Sequence, residues 1–532
     1  MHIIHLSSEL SPAAKVGGLG DVVHSLSMAL IKQGHEVEVI LPKYDTFDYA
    51  LARNLQVHYR NLISYDGANT YNNTIWSCEV DGIRVLLIEP HHPSYFFSRG
   101  MIYGCSDDID RFLYFTRAAM EFIFKSRRKP DAIHLHDWPV SIASTLQKDM
   151  YIHLGLEIGG TLLTLHNVEH QGQCRLDQIQ RIGLDPTKYT LQKNPAESIN
   201  LLQQGIIDAT VVTTVSPSYR KEIMTQEGGH GLGPTLKKHQ QKIKGILNGI
   251  DYNYWDPKTD PHLQHHFSTH SINTVKKTEV VLTAKGESKK HLQKLLHLRA
   301  HQGPLIACIT RLVPQKGPQL IAAAIRETLK QNGQFILLGS EGSQELKNLF
   351  LLLQQEFAET KDFALVLERS EPLAHLTFAG ADMIIVPSLF EPCGLTQMIA
   401  LRYGSIPIVR STGGLADTVF DIDESRIEQE QRNGFTFLEP STKSMNEVME
   451  RAISTYKNRK ELWITLIQNA LRCDHSWNHS MDEYLTYYKQ LSTHKQNKGS
   501  ATSAKNQRKT QKNPGVFPLQ QPTISGTAWP NT

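Results

Sequence analysis

Short apolar runs alternate with longer stretches of helical period through most of this 532-residue chain, and this alternation constrains the fold more than any other feature. Repetition of strand, helix and strand predicts an α/β fold, in which parallel sheets are covered by helices on both faces. The apolar runs fall into two series. The strand candidates are His2–Leu6, Glu36–Leu41, Arg84–Glu89, Ala132–Leu135, Thr161–Leu165 and Thr210–Val215 in the first series, and Leu305–Thr310, Gln334–Leu338, Phe363–Leu367, Met383–Val386 and Ile406–Val409 in the second.

The alternation breaks between about Asp251 and Lys290, where prolines and many polar residues predict a connection. We therefore predict two doubly wound domains that are joined near residue 250. The connection also holds a group of histidines, and a solvated loop explains them better than a metal site does, because the stretch is polar and irregular. These histidines are His262, His265, His266 and His270.

The net charge of +3 is local, since residues 491–532 contain six basic residues and no acidic one. A nucleic-acid-binding protein usually spreads its basic charge over a folded face, so we expect no nucleic-acid partner. The last stretch of the chain is rich in Lys, Gln, Asn, Ser, Thr and Pro and has little apolar surface to bury. This composition predicts a disordered tail.

Membrane-span, signal-peptide and cysteine patterns together indicate the cellular location of the protein. No apolar run reaches the length of a membrane span, and the start of the chain lacks the pattern of a signal peptide. The six cysteines are scattered and form no C-x-x-C pair. This usage fits a reducing compartment better than a zinc ribbon or a disulfide framework. We therefore predict a cytoplasmic protein with no membrane partner.

A glycine-rich segment, Lys15–Asp21 with the sequence KVGGLGD, lies between the first predicted strand and the first predicted helix. Open α/β sheets bind ligands at the carboxyl ends of their strands, and free N–H groups at a helix start favour an anion. The lysine adds a positive charge for phosphate. The segment matches neither the dinucleotide-binding nor the P-loop pattern. A tight turn between strand and helix explains the glycines equally well.

The second series has a counterpart in Thr310–Pro318, which follows a predicted strand and ends on a proline suited to the first turn of a helix. Arg311 and Lys316 are placed to project into a crevice that faces the first domain, where they would hold a diphosphate. Two solvated loop cations are the simpler explanation of an isolated basic pair.

Two more segments follow strands of the second series. Phe390–Gln397 places the carboxylate of Glu391 and several free N–H groups at a helix start, which suits the binding of sugar hydroxyls together with phosphate. Ser411–Asp417 contains two adjacent glycines. Taken singly, an ordinary helix start explains the first segment and a plain turn explains the second.

Two segments at the carboxyl ends of predicted strands in the first series contain histidines. They are His134–Trp138 and Thr164–Asn167. Strand alternation puts His134 and His136 on one side of a strand, where such a pair can bind metal. The sequence shows no third ligand, so we expect no metal site.

Taken together, these segments resemble the bacterial and plant glycogen (starch) synthases, which are retaining glucosyltransferases of the GT-B fold, with two Rossmann-like domains facing across a cleft. The resemblance is collinear over about residues 1–490, and KVGGLGDV together with FEPCGLTQ is its most specific part. The matching stretches are Lys15–Val22, His136–Trp138, His166–Asn167, Gln171–Gly172, Val212–Tyr219, Ile246–Trp255, Thr310–Gly317, Phe390–Gln397, Arg402–Val409, Ser411–Val419 and Asp474–Trp477.

The resemblance implies domain boundaries. Residues 1–247 would form the N-terminal domain, which carries the glycine loop and the acceptor side, and residues 248–473 the C-terminal domain, which binds the nucleotide sugar. Residues 474–490 would form a closing helix that returns to the N-terminal domain, and residues 491–532 the disordered basic tail. Domain closure would assemble the site, because each half supplies part of it.

The resemblance also implies the reaction. Glucose would pass from ADP-glucose, or from UDP-glucose as the alternative donor, to the non-reducing end of an α-1,4-glucan with retention of configuration. No cofactor and no metal would take part, because front-face attack assisted by the departing phosphate usually explains retention in this family.

Site residues follow from the matching motifs. Arg311 and Lys316 would hold the diphosphate and neutralise the leaving group, and Glu391 would bind the glucose hydroxyls. His166 and Asp137 would line the other face of the sugar. The residues implied to bind the donor are Lys15, Gly17, Gly18, Asp21, Asn167, Cys393, Gly394, Leu395 and Thr396.

Some positions depart from the family pattern. Gln203 stands where the family has a lysine, and the segment Leu367–Glu371 lacks the aromatic residue that often stacks on the base. Because these changes fall on nucleotide and acceptor contacts, two alternatives stay open: a GT-B transferase with another donor or acceptor, and a glucan-binding pseudoenzyme. A phosphorylase is disfavoured, because nothing identifies a lysine for pyridoxal phosphate.

Overall fold

The computed structural model describes residues 1–189, 198–269, 275–423 and 426–510. Within these ranges the strands form a nine-stranded sheet, a six-stranded sheet and a two-stranded ribbon. Each of the predicted strands is present, with ends shifted by a few residues at most. The alternation of apolar runs and helices therefore gives the correct α/β architecture.

The first half of the chain builds the nine-stranded sheet, in the order β11-β10-β7-β6-β1-β2-β5-β4-β3. Its central strands are buried on both faces, which is why they appear in the sequence as continuous apolar runs. The elements are β1 (His2–Leu6), α1 (Gly18–Lys32), β2 (Glu36–Pro42), β3 (Arg53–Asp66), β4 (Asn69–Val80), β5 (Ile83–Pro90), α2 (Asp108–Lys125), β6 (Ala132–His136), α3 (Trp138–Ser141), α4 (Ala143–Leu146), β7 (Thr161–Leu165), β8 (Gln173–Arg175), α5 (Leu176–Arg181), β9 (Ser198–Asn200), α6 (Leu201–Asp208), β10 (Val211–Thr214), α7 (Pro217–Glu222), α8 (Gly233–Lys238) and β11 (Ile243–Gly245).

One edge of this sheet differs from the prediction of purely parallel sheets. Strands β3 and β4 pair antiparallel with each other, and β4 pairs antiparallel with β5. Most side chains of β3 are exposed. An edge strand with a solvated face carries no continuous apolar run, so the search for apolar runs did not find it.

The second half of the chain builds the six-stranded sheet, in the order β14-β13-β12-β15-β16-β17, with every pair parallel. Helices α10 and α15 pack together on it. The elements are α9 (Val275–Leu295), β12 (Leu305–Leu312), α10 (Pro318–Lys330), β13 (Gln334–Gly342), α11 (Gln344–Glu356), β14 (Phe363–Val366), α12 (Glu371–Gly380), β15 (Met383–Val386), α13 (Thr396–Arg402), β16 (Ile406–Arg410), α14 (Gly413–Thr418), β17 (Phe435–Phe437), α15 (Thr442–Asn458), α16 (Lys460–Arg472) and α17 (Trp477–Thr510).

The predicted connection between the two series is shorter than expected, because α9 begins at Val275. Lysine-rich composition hid this helix, although it buries Lys285 and Lys289 beside Val281 and Leu292. The long aliphatic stems of lysine pack like apolar side chains when the ammonium finds partners. Of the histidines in the connection, His262, His265 and His266 precede the helix in irregular structure, and His270 lies outside the described residues.

The chain crosses between its halves at two adjacent places. Ile250 pairs with Ser476 in a parallel bridge, and the Tyr252 hydroxyl accepts from the N–H of His475 at 2.8 Å. After the second crossing, α17 packs against α1. The assignment of 1–247, 248–473 and 474–490 to separate units stays a prediction.

The last helix is longer than predicted, since it continues past residue 490 to Thr510. Leu491 is fully buried, and Lys495 contacts Asp131 through an ion pair at 3.2 Å. The boundary between helix and tail therefore lies later than residue 491. Within the described ranges, the structure contains no helix whose length and apolar character would let it cross a bilayer.

Candidate active site

Loops at the carboxyl ends of both sheets face each other. A Cβ built on Gly18, at the start of α1, would lie 3.8 Å from Cδ1 of Leu395, which comes from the second half. The rings of His230 and Phe390 lie 5.9 Å apart between centroids. The glycine loop and the segment Phe390–Gln397, which the family resemblance implies both meet the donor, are therefore neighbours across the cleft.

A buried glutamate that the sequence analysis missed organises the glycine loop. The Glu9 carboxylate accepts hydrogen bonds from the N–H groups of Val16 at 2.7 Å and Gly17 at 2.8 Å, and from the hydroxyl of Tyr103 at 2.8 Å. The N–H of Gly17, which was expected to be free for a donor anion, is thus occupied. Glu9 follows β1 without any motif that would mark it.

At the other end of this loop, Lys15 Nζ donates to Asp21 Oδ1 at 2.7 Å. Both side chains remain about a quarter to a third exposed, at 25% and 30%. A lysine held this way still has two N–H bonds to offer an anion. The structure therefore places Lys15, Gly18 and Asp21 together on the first-half side of the cleft.

Lys316 and Glu391 form an ion pair on the second-half side. Lys316 Nζ lies 2.5 Å from Glu391 Oε2, and the Ser388 hydroxyl donates to the same oxygen at 2.7 Å. Lys316 follows β12, and Glu391 follows β15, the strand next to it in the sheet. The parallel sheet therefore brings together two residues 75 positions apart in the chain.

A cavity of about 180 Å³ lies beside this pair. Arg311 and Lys316 line it together with Ser388 and Thr396. Thr396 is the first residue of α13, so N–H groups of a helix start lie at the cavity edge. Two cations and a helix start at one cavity suit an anionic group.

The segment before α13 depends on a glycine. Gly394 has φ +73°, a left-handed conformation that favours glycine. The neighbouring Cys393 is buried, and burial raises the pKa of its thiol to about 12. This thiol is protonated at neutral pH and is not a nucleophile. Leu395 is partly buried and faces Gly18, as described above.

The glycines of Ser411–Asp417 support Glu391 from behind. A Cβ built on Gly413 would lie 2.0 Å from the Glu391 carbonyl oxygen, and the N–H of Gly414 donates to that oxygen at 3.1 Å. This fourth motif is therefore explained by close backbone packing against Glu391.

Hydrogen bonds join the two halves near these segments. The Ser216 hydroxyl donates to the Pro392 carbonyl at 2.7 Å, and the Ser218 hydroxyl donates to Asp417 at 2.7 Å. Glu222 accepts from the N–H of Gly413 at 2.7 Å. Sequence analysis missed these contacts, because the partners lie about 176 to 199 positions apart in the chain.

Asp137 holds the backbone of the His166 segment. Its carboxylate accepts from the N–H of His166 at 2.6 Å. Asp137 has φ +59°, which is strained for a residue with a side chain. Burial raises the pKa of this carboxyl to about 8, although N–H groups of His166 and Asn167 lower it. The side-chain oxygen of Asn167 accepts from the N–H of Glu169 at 3.0 Å.

Behind His166 lies a column of buried imidazoles. His5 Nδ1 lies 3.0 Å from His136 Nε2, and His136 Nδ1 lies 3.0 Å from His166 Nε2. The sequence predicted that His134 and His136 share a face but found no third histidine, because His5 stands on β1, far away in the chain. We name His5, His136 and His166 the histidine column.

Burial keeps the column neutral. It lowers the pKa of His5 and of His166 to about 3, and it lowers the pKa of His136 well below the usual range. Neutral imidazole offers one donor and one acceptor, so each ring can pass a hydrogen bond along the column.

Acid should therefore destabilise the protein through these histidines. Below pH 6.5 the unfolded chain binds a proton at His5, whereas the native state stays unprotonated there until pH about 3. Stability consequently falls as the pH is lowered through this window, by about 1.4 kcal/mol per pH unit for one such group. We expect His5→Phe to make the decline in unfolding free energy between pH 6.5 and 4.5 shallower by that amount, as measured by urea denaturation.

A matched control is His153→Phe, since His153 is exposed. This variant should keep the wild-type pH dependence. Asp137 contributes equally to wild type and both variants, so its titration cancels from the comparison. Equal slopes for wild type and His5→Phe would contradict the prediction.

Comparisons with known proteins agree with this geometry. A family model described as "Starch synthase catalytic domain" matches residues 2–238, and one described as "Glycosyl transferases group 1" matches residues 289–464. The chain is 46% identical over 497 residues to a glycogen synthase of Protochlamydia amoebophila (strain UWE25), covering 92% of this chain and 99% of that protein.

A plant relative and its structure extend the match. The chain is 43% identical to a probable starch synthase 4 of Arabidopsis thaliana, covering 92% of this chain and 47% of that longer protein. The solved catalytic domain of Starch Synthase IV from Arabidopsis thaliana, bound to ADP and acarbose, superposes with a TM-score of 0.87 at 43% identity, covering 92% of this chain and 99% of that one. The predicted GT-B fold is thereby confirmed, and the chain belongs to the glycogen and starch synthase family of glycosyltransferases.

Proposed function

We propose that this protein transfers glucose from ADP-glucose to the non-reducing end of an α-1,4-glucan with retention of configuration. The observation that carries the proposal is the Lys316–Glu391 pair beside a cavity that also has Arg311 in its lining. Family membership and the ADP and acarbose bound to the plant relative support a nucleotide-sugar donor and a glucan acceptor.

The second half would bind the donor. Lys316 gives one N–H to Glu391 and has two left for phosphate oxygens, so it links the sugar-binding carboxylate to the diphosphate. Arg311 would hold the diphosphate by a charge-assisted hydrogen bond. As the bond from the anomeric carbon to the phosphate oxygen breaks, these cations stabilise the negative charge that develops on the leaving group. Thr396 and the N–H groups at the start of α13 would bind the remaining phosphate oxygens.

The first half would complete the site. Lys15 and Gly18 would meet the diphosphate from the opposite side, and His166 and Asp137 would line the sugar. Retention follows if the acceptor hydroxyl attacks the anomeric carbon from the face that the diphosphate leaves. The acceptor oxygen then forms the new glycosidic bond, and its proton passes to the departing phosphate oxygen. Every group in this step comes from the protein or its two substrates.

The proposal also covers the division of the chain into domains and the cellular location of the protein. We place the acceptor side in residues 1–247 and the nucleotide-sugar side in 248–473, with the two crossings near Ile250 and Ser476 as the hinge. The cytoplasm is the proposed location, which the free cysteines of the described ranges support.

The decisive experiment measures release of nucleoside diphosphate with glycogen present, comparing ADP-glucose and UDP-glucose under identical conditions. We expect glycogen-dependent release that is faster from ADP-glucose. Such a result would make the changes at Gln203 and Leu367–Glu371 tolerated variation. In the structure, the Gln203 amide donates to the Thr235 hydroxyl at 2.6 Å, so its side chain already has a partner.

Other outcomes separate the alternatives. Faster release from UDP-glucose would keep the reaction and change the donor. Release that needs a small sugar acceptor would indicate another transferase activity. Binding of glycogen without turnover of either donor would indicate a glucan-binding protein and contradict the proposal.

A further inference from the structure

In the histidine column, the tautomer of each ring depends on the tautomer of its neighbour. His5 and His134 are directly opposite in the β1–β6 pairing, and His136 follows two residues later on the same face of the sheet. His136 is paired with Thr164 of β7, so His166 continues the same face beyond the end of that strand. The column therefore runs along the sheet from the interior to the cleft.

This cluster is poorly suited to metal. The ligand atoms of His5, His134 and His136 all lie within 4.8 Å of one another, which is close enough to suggest a site. However, five of the six ring nitrogens already have hydrogen-bond partners. His134 bonds the hydroxyls of Tyr488 at 2.7 Å and Thr164 at 2.6 Å, and both nitrogens of His136 are used within the column. A metal ion would have to break these bonds.

Only two arrangements of protons satisfy the column. Either every ring donates toward His166, or every ring donates toward His5, because a neutral ring that accepts at one nitrogen must donate at the other. In the first arrangement His166 carries its proton on Nδ1. In the second it carries the proton on Nε2, and Nδ1 is bare.

The surroundings of His5, at the buried end of the column, favour one of the two proton arrangements. His5 Nε2 is buried and has no hydrogen-bond partner among the residues that the structure describes. Donation toward His166 leaves this nitrogen as a bare lone pair, whereas donation toward His5 leaves it as an N–H without an acceptor. Buried N–H groups without an acceptor are rare in native proteins, so the first arrangement is favoured.

We propose that the column donates toward the cleft and thereby fixes His166 as an Nδ1–H hydrogen-bond donor for an oxygen of the bound sugar, with His136 and His5 as positioning residues. This inference rests on the proposed function for the identity of the sugar. His166 is partly exposed, whereas His136 and His5 are fully buried and act only through it. Their role is to disfavour the tautomer of His166 that carries its proton on Nε2.

The first test reads the tautomer directly in the full-length protein without substrate. Histidine-selective nitrogen-15 labelling and long-range proton–nitrogen correlation distinguish a protonated from a bare ring nitrogen, and loss of signals in His166→Gln assigns them. We expect the proton of His166 on Nδ1. A proton on Nε2 would overturn the inference, whatever reaction the protein catalyses.

The second test compares two side chains of similar branched shape at position 136. His136→Asn keeps an N–H donor near the place of Nδ1, whereas His136→Leu has none. We expect His136→Leu to lower kcat by about 10- to 100-fold, as loss of a partner that orients a histidine does elsewhere, and His136→Asn to recover most of it. In a His166→Ala background, His136→Leu should lower kcat less than twofold further, because the effect passes through His166.

His134→Leu is the matched control. His134 stands on the same strand, is equally buried and stacks on His136 with ring centroids 4.1 Å apart, but it lies outside the column. It should lower the melting temperature and leave kcat and the His166 tautomer unchanged. A kcat loss equal to that of His136→Leu, or additive losses with His166→Ala, would overturn the inference. Absence of transfer in the wild type would contradict the proposed function alone, since the tautomer is read separately.

Discussion

Replacing Lys316 by alanine should lower kcat for glucose transfer by about 10³-fold, because one ammonium both holds the Glu391 carboxylate and faces the diphosphate. The loss should appear in kcat more than in KM, since the charge on the leaving group develops as the bond breaks. The measurement is the initial rate of nucleoside diphosphate release at saturating donor with glycogen. Glu391→Ala should have an effect of the same order, because it removes the other member of the pair.

Lys330→Ala provides the control for this prediction. Lys330 ends α10, the helix that follows Lys316, and its side chain is 76% exposed and pairs only with Glu327 within the described ranges. This variant should keep the wild-type rate. Lys316→Ala with substantial activity and a wild-type melting temperature would refute the role assigned to the lysine.

Replacing Lys285 by methionine should destabilise the protein by about 1 to 3 kcal/mol, because buried acceptors lose their donor. The buried ammonium has three N–H bonds to share among four oxygens within 2.9 to 3.2 Å, the carbonyls of Ala379, Ala381 and Tyr403 and the Ser405 hydroxyl. These carbonyls lie at the carboxyl ends of α12 and α13, where a helix leaves its last carbonyls unpaired. Methionine fills the space but gives them no donor.

The measurement is the free energy of unfolding in urea. Lys290→Met is the control, since Lys290 lies on the same helix with its side chain 64% exposed and should change stability by less than about 0.5 kcal/mol. Burial lowers the pKa of Lys285 to about 7, so the comparison is made at pH 6.5, where the ammonium form predominates. Equal stability of Lys285→Met and wild type would show that water or backbone shifts replace the lysine.

Local pattern was enough to predict the α/β architecture. Lys316 and Glu391 each follow a predicted strand, but their contact was not predicted, because it depends on the order of the strands in the folded sheet. Resemblance to the family, and not local pattern, implied that the glycine loop and Leu395 both meet the donor.

Residues whose roles depend on distant partners could not be predicted in this way. Glu9 and His5 stand on or just after β1 with no distinguishing spacing, and only the folded sheet brings them to the glycine loop and to His136. Ser218 and Asp417 likewise meet across the cleft from opposite halves of the chain. The exposed strand β3 and the lysine-rich helix α9 were missed because neither shows an apolar run.

The return of α17 to the first half has a consequence for synthesis on the ribosome. Met481, Tyr484, Tyr488 and Leu491 are buried in one cluster with Ile3, Val22, Leu26 and Leu162, so the last helix covers an apolar surface of the first half. At about 5 to 20 residues per second, more than 200 residues must emerge between β11 and that helix, which takes roughly 10 to 50 seconds. The nascent first half therefore exposes this surface throughout that interval, and release of the finished chain, more than completion of the sheet, ends its exposure to aggregation.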